Sequence, residues 1–297
     1  MADLIVIGDV MLDVAVASPP LRRGGDVHGR VDVHPGGAAA NTAVWAGALG
    51  LDVDLYAVLG ADAIGGMLHE EFRRRGVRLP IPRRDGTRTG TMLVLHEDGE
   101  RSMVADRGAN ASLRVSDLPD ALEATALYVS GYTLFDRDTE IVALEAFSRA
   151  RCTHVAIDAA SWPLIDRLTP SRFFELTAGV TMLFANAREA EALTGLGPDR
   201  AAFELLEQYP MVLIKQGAEG ATFASLDGVA HHRAPVITEV DPTGAGDAFN
   251  GVFLANLIRG ASPDEALDMA CQAGADVAAS ATTWPACTWG CDAEPQS

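Results

Sequence analysis

Asp241-Pro242-Thr243-Gly244-Ala245-Gly246-Asp247-Ala248-Phe249 concentrates residues that could do chemistry. Glycines at a helix start let backbone N–H groups approach and bind an anion. An aspartate in the same turn repels a resting phosphate. It makes sense where phosphate passes over the amides of Gly244, Ala245 and Gly246 while Asp247 takes a proton from an attacking hydroxyl. Residues 234–240 before the turn are rich in strand formers, and residues 248–257 after it are small and apolar. The segment therefore reads as strand, glycine turn and helix.

Four further groups could surround such a turn. Pro35-Gly36-Gly37-Ala38-Ala39-Ala40-Asn41 opens a small-residue helix, one turn into which Asn41 offers a donor and an acceptor. That suits a polyhydroxyl ligand, and equally an amide bonded to a neighbouring loop. Asp9 and Asp13 follow the first strand, where a carboxylate can grip two adjacent hydroxyls, with Asp13 in the main role and Asp9 supporting it. Asn186 and Glu189 have the spacing of a helix capping box and also suit contact with phosphate and a water-bridged Mg²⁺. Lys215, Gly217 and Gly220 form a glycine turn beyond a strand, suited to a nucleotide or to a plain surface turn. The chain has no GxxxxGK[ST] loop, no GxGxxG after the first strand and no GxSxG elbow.

These residues need a scaffold that brings strand ends together. Apolar runs at 4–7, 53–58, 126–129, 154–157, 182–184 and 211–214 read as buried strands. Helical patterns at 38–49, 64–75, 138–150 and 188–193 separate most of them. That alternation predicts an α/β fold with a largely parallel sheet covered by helices, with ligands beyond the carboxyl strand ends. Residues 14–35 and 88–107 break the alternation with strand patterns and turns, Glu97-Asp98-Gly99-Glu100 among them. They predict a small projecting sheet, either a lid or a plain surface hairpin, and an exposed sheet is a natural homodimer surface. The 297 residues suit one large domain, 1–297. The net charge of −18 argues against nucleic acid and against an anionic membrane as partners. The N-terminus is too short and too acidic for a signal peptide, and no apolar run is long enough to span a bilayer. Cys152, Cys271, Cys287 and Cys291 form no CxxC pair and read as reduced thiols of a cytoplasmic protein. His231-His232 reads as a surface loop pair, and the tail from Trp284 has no periodicity.

Taken together, Gly36-Gly37-Ala38-Ala39-Ala40-Asn41 and Asp241 to Phe249 resemble the two signatures of the PfkB carbohydrate kinases, which have the ribokinase-like fold. Gly60-Ala61-Asp62-Ala63-Ile64-Gly65 looks like that family's G-x-D-x-x-G segment, and Asn186 with Glu189 like its N-x-x-E motif. The resemblance implies a three-layer α/β/α sandwich with a small β-sheet lid. It implies ATP-dependent phosphorylation of a small sugar or sugar acid, with Asp247 as base, kept ionised by the helix dipole. Asp13, Gly36, Gly37 and Asn41 would hold the acceptor, Asn186, Lys215, Gly217 and Gly220 the nucleotide, and Glu189 the Mg²⁺. Asp241 and Thr243 match half of a monovalent-cation (K⁺) site, while residues 281–286 depart from its other half. The segments at 101–110 and 128–134 look like those of sugar and 2-keto-3-deoxygluconate kinases, where Arg107 would meet an acid sugar's carboxylate or form a structural ion pair. A nucleoside kinase and a non-catalytic sugar-binding relative are the alternatives.

Overall fold

Burial on both faces decides the central sheet. In β1 (Ala2–Ile7), Leu4 and Val6 belong to one core while Ile5 and Ile7 belong to another. A strand buried on both sides needs helices on both sides. The computed structural model describes residues 2–20, 24–97, 100–280 and 282–285, with the backbone alone at 96, 97, 100 and 101. The turn tip Asp98-Gly99, together with Ala281, Cys287 and Cys291, lies outside the described residues.

The remaining strands are β2 (Met11–Ala17), β3 (Arg30–Gly36), β4 (Val53–Tyr56), β5 (Val77–Arg78), β6 (Gly90–Glu97), β7 (Glu100–Asp106), β8 (Leu122–Ser130), β9 (Ala150–Arg151), β10 (His154–Asp158), β11 (Met182–Asn186), β12 (Met211–Lys215), β13 (Ala221–Ser225) and β14 (Gly228–His232). The helices are α1 (Ala38–Ala48), α2 (Ala63–Arg74), α3 (Arg137–Arg149), α4 (Trp162–Leu168), α5 (Pro170–Leu176), α6 (Ala187–Thr194), α7 (Pro198–Leu205), α8 (Ala245–Ile258) and α9 (Pro263–Ala278). All six expected strands and all four expected helices are present. Among the described residues, no helix is long and apolar enough to cross a membrane.

The large sheet runs β14-β13-β12-β11-β10-β8-β1-β4-β5, with β9 beside β8. From β12 to β5 every pairing is parallel; β13 and β14 add an antiparallel edge. The chain winds outward in both directions from the β1–β8 pair, the switch point at which such sheets open a crevice. His231 and His232 lie in strand β14 rather than in a loop, bonded to Thr222 and Asp264 respectively.

A second sheet, β3-β2-β6-β7, projects from this body; its central β2–β6 pair is parallel and its outer pairs are antiparallel. Strand β2 begins at Met11, so Asp13, expected in a loop past the first strand, belongs to the projecting sheet opposite His34 and Met92. Two clasps fix the base of this sheet. The buried Asn110 amide accepts from Val10 N (3.0 Å) and donates to Val10 O (2.8 Å). Asp62 caps α2 through Gly65 N (2.7 Å) and also accepts from Thr89 N (2.8 Å), one residue before β6.

Residues 234–240, expected as a strand, form no ladder. Pro235 lacks a donor, and the chain instead hangs on the end of α9, with Val240 N bonded to Ala278 O at 2.8 Å. Helix α8 is buried from Ala248 to Ala255. It packs against α1 at Gly251, where a Cβ would lie 2.5 Å from the Thr42 carbonyl oxygen and 2.9 Å from Trp45 Cβ. Gly251→Ala should therefore wedge α1 from α8. Denaturant unfolding is expected to show a loss of about 1–3 kcal/mol, and an unchanged midpoint would mean the helices have slack.

Candidate active site

Adjacent parallel strands end in polar residues at one edge. Asp9 follows β1, and Ser130, Asp158, Asn186 and Lys215 close β8, β10, β11 and β12. Lys215 Nζ donates to Asp158 Oδ2 (2.7 Å) and Asn250 Oδ1 (3.1 Å), and Asn250 Nδ2 reaches Asp158 Oδ2 at 2.8 Å and Tyr128 OH at 3.2 Å. Asp9 caps α1 by accepting from Ala38 N at 3.2 Å. A side chain at Gly36 would run into the Asp13 carboxylate, and Gly37 turns into α1 with φ of 101°.

Above this edge stands the N-terminus of α8. Gly244 starts it with φ of 79°, the left-handed conformation that a glycine adopts without strain. Thr283 backs this glycine. First-turn helical amides lack carbonyl partners within their own helix, but Ala245 N bonds Pro242 O at 3.2 Å, so Gly246 and Asp247 present the freer amides. Lys215 Nζ approaches the same turn, 3.4 Å from where a Cβ on Gly246 would be. Asp241 Oδ1 accepts from Thr243 N (2.9 Å) and Thr243 Oγ1 (2.6 Å). Asp247 Oδ2 accepts from Asn41 Nδ2 at 2.8 Å, while Asn41 Oδ1 accepts from Trp284 Nε1 at 2.7 Å. Both ends of the Asn41 amide, expected against the acceptor, are thus engaged by protein.

The electrostatics differ from expectation. Burial first, then the Asp158 and Asp9 carboxylates, push Asp247 up to about 7, against the Asn41 amide and Lys215. The helix terminus does not hold it at ordinary acidity. Asp13 is pushed up to about 7 by burial and by Asp9. Glu189 rises to about 7 through burial and Asp158. Burial acts to lower the Lys215 amine, yet Asp158, Glu189 and Asp247 together raise it.

Asn186 and Glu189 form the expected capping box, with Glu189 N on Asn186 Oδ1 (2.9 Å) and Asn186 N on Glu189 Oε2 (2.7 Å). Among the described residues no cluster of three or more ligating side chains could cage a metal. One or two carboxylates completed by phosphate and water is the donor set Mg²⁺ accepts. Buried Glu189, its acidity already weakened by neighbouring charge, fits that arrangement. Gly217 and Gly220 line a cleft of about 350 Å³ together with Lys215, Gly246, Val236 and Phe249. Arg107 takes the ion-pair alternative: Nη1 lies 2.9 Å from Asp136 Oδ2, and Nη2 donates to Thr139.

Asp158, Asn250 and Trp284 were missed. Asp158 carried the signal that singled out Asp9, a carboxylate at a strand end. Asn250 lies three residues past Asp247 on the same helix. Trp284 carried no local signal.

Carboxyls whose pKa is raised in the folded state bind protons more tightly folded than unfolded. Their contribution is complete below the ordinary value of 3.8 and is lost as pH rises through about 7. Melting temperature is expected to fall by about 4 °C or more between about pH 5 and about pH 8. Asp247→Asn, which removes one such group, should flatten the fall; a melting temperature rising over that range would contradict the assignment.

Over residues 1–285 the sequence matches the pfkB family carbohydrate kinases. Aminoimidazole riboside kinase of Salmonella typhimurium is 31% identical over 245 residues, covering 78% of this chain and 76% of the relative. 2-Dehydro-3-deoxygluconokinase of Thermoproteus tenax is 29% identical over 289 residues, covering 93% and 88%. A crystal structure of an E. coli protein with ATP and Mg²⁺ shares the fold with a TM-score of 0.85 at 21% identity, covering 95% and 94% of the two chains. With the glycine turn, the strand-end carboxylates and the projecting sheet in these places, the chain belongs to the pfkB family of carbohydrate kinases.

Proposed function

We propose that the protein transfers the γ-phosphoryl group of ATP to a hydroxyl of a small uncharged sugar, with Asp247 as general base. The carrying observation is a half-buried carboxylate in the first turn of α8, oriented by Asn41 beside helix-terminal amides and Lys215. The acceptor hydroxyl gives its proton to Asp247. Its oxygen bonds to the γ-phosphorus, the bond from that phosphorus to the β–γ bridging oxygen breaks, and ADP leaves. The first-turn amides of α8, those of Gly246 and Asp247 foremost, stabilise with Lys215 the charge on the transferring group. ATP lies along the cleft at Gly217 and Gly220, and the E. coli neighbour holds ATP and Mg²⁺. Glu189 and Asn186 would hold Mg²⁺ through water, and the bound ion would neutralise phosphate charge. A cytoplasmic setting suits ATP and the free thiols Cys152 and Cys271.

Asp13, with Gly36 and Gly37 beside it, grips the acceptor. Asp9, Asp13 and Asp247 make this side negative while Arg107 is committed to Asp136, which disfavours a carboxylate on the acceptor. A riboside is the second reading, favoured by Tyr132. This aromatic ring is 38% exposed and lies within the fields of Asp9 and Asp247. The sheet face turned from Asp13 carries Val31, Val33 and Val104, exposed by 60%, 53% and 62%, and supports homodimerisation through the lid.

An assay coupled to ADP release, run with ribose, fructose, aminoimidazole riboside, adenosine and 2-keto-3-deoxygluconate, tests the function. The acid sugar should trail the best neutral acceptor by about tenfold or more. ADP release with none of them would sink the kinase reading. Asp247→Asn should lose about 10²–10⁴-fold in kcat, and wild-type kcat/KM should fall as pH drops below about 7, where the base is protonated. Comparing rates in K⁺ and Na⁺ salts tests a cation at Asp241 and Thr243. Val33→Glu with Val104→Glu should turn a sedimenting dimer into a monomer; a wild-type monomer would remove the dimer.

A further inference from the structure

We propose that Trp284 is a positioning residue: its indole N–H fixes the Asn41 amide so that Nδ2, rather than Oδ1, faces the base. The inference rests on Asp247 being the base of the kinase proposed above.

The argument is one of donors and acceptors. An indole nitrogen can only donate. The Asn41 atom 2.7 Å from Trp284 Nε1 must therefore be the carbonyl oxygen Oδ1. That leaves Nδ2 for Asp247 Oδ2 at 2.8 Å. The flipped amide would set N–H against N–H on one side and a carbonyl against a carboxylate on the other. Trp284 thus selects one of two amide orientations, and with it a donor that favours the ionised base. The bond to Oδ2 leaves the other carboxylate oxygen for the acceptor hydroxyl.

Trp284 is itself held tightly. It is 7% exposed, its ring lies 5.2 Å from that of Phe72, and the Arg75 guanidinium stacks 4.8 Å from its centroid. Arg75 also donates to the Pro285 carbonyl at 2.8 Å and pairs with Glu71 at 2.9 Å. Trp45 Nε1, from α1, donates to the Thr283 carbonyl at 2.9 Å. Residues 282–285 form a strap pinned by α1 and α2, and Thr283 of this strap backs Gly244. One short segment therefore buttresses both the anion turn and the partner of the base.

Asp247 is otherwise faced by Asp158 from β10, Lys215 from β12, Asp9 from the turn after β1, and the Tyr128 and Tyr132 hydroxyls. Trp284→Phe leaves all of these in place. It also keeps an aromatic ring between Phe72 and Arg75 while deleting the N–H and one of the two fused rings.

In that variant the acid limb of kcat/KM should move upward by about one pH unit, the effect of losing a hydrogen bond to the charged form. Its kcat near neutral pH should drop about tenfold while KM for ATP stays within about twofold. Carboxyl ¹³C NMR, with the Asp247 signal assigned by its loss in Asp247→Asn, should show the same upward movement without any turnover. A merely structural tryptophan would lower the melting temperature and leave both titrations where they are; a folded Trp284→Phe protein with both unmoved overturns the inference. Wild-type protein that phosphorylates nothing overturns the kinase reading instead, while the carboxyl titration still decides the amide orientation.

Discussion

The hydrogen bond from Asn41 to Asp247 joins two helix starts, and the rest of the site is arranged around the carboxylate it holds. Asp247 is half-buried within the fields of Asp158 and Asp9. A partly buried carboxylate in that company is costly unless partnered. The partners come from separate elements: Asn41 from α1, the amides from α8 itself, and Lys215 from the end of β12, shared with Asp158 and Asn250. They converge only because α1 and α8 touch at Gly251 and because the parallel strands all end at the same edge.

The two sides of the site carry opposite chemistry. On one side a largely apolar cleft ends at a lysine beside the glycine turn. On the other side stand Asp9 and Asp13, with the nearby arginine paired to Asp136. In the proposed reaction a highly anionic substrate would meet amides and an amine, and a polyhydroxyl substrate carboxylates that can accept from its hydroxyls. The chain's overall negative charge says little about either, because local dipoles and buried partners set the field there.

Much of this was legible in the sequence where a local rule applies. Strands buried on both faces make short apolar runs, so β1, β8, β10, β11 and β12 stood out. The glycine turn around Gly244 declared itself because few residues other than glycine tolerate its backbone. Residues 234–240 misled because strand propensity registers side-chain shape and not the availability of a neighbouring strand. Asp13 was expected in a loop and lies in a strand, since a strand bending away from the body leaves no mark in composition. Trp284 was illegible: its partner Asn41 lies 243 residues away, and its other contacts come from a helix that a contact-free reading cannot place beside it.

The position of Asp13 has one more consequence. It is carried on four strands anchored to the body at Val10, Thr89 and Asn110, whereas Asp247 is built into a helix of the body that is buried from Ala248 to Ala255. The two carboxylates are jaws of a calliper, one fixed and one mounted on an arm. If the acceptor lies between them as proposed, the stiffness of two small clasps sets how finely that gap is ruled.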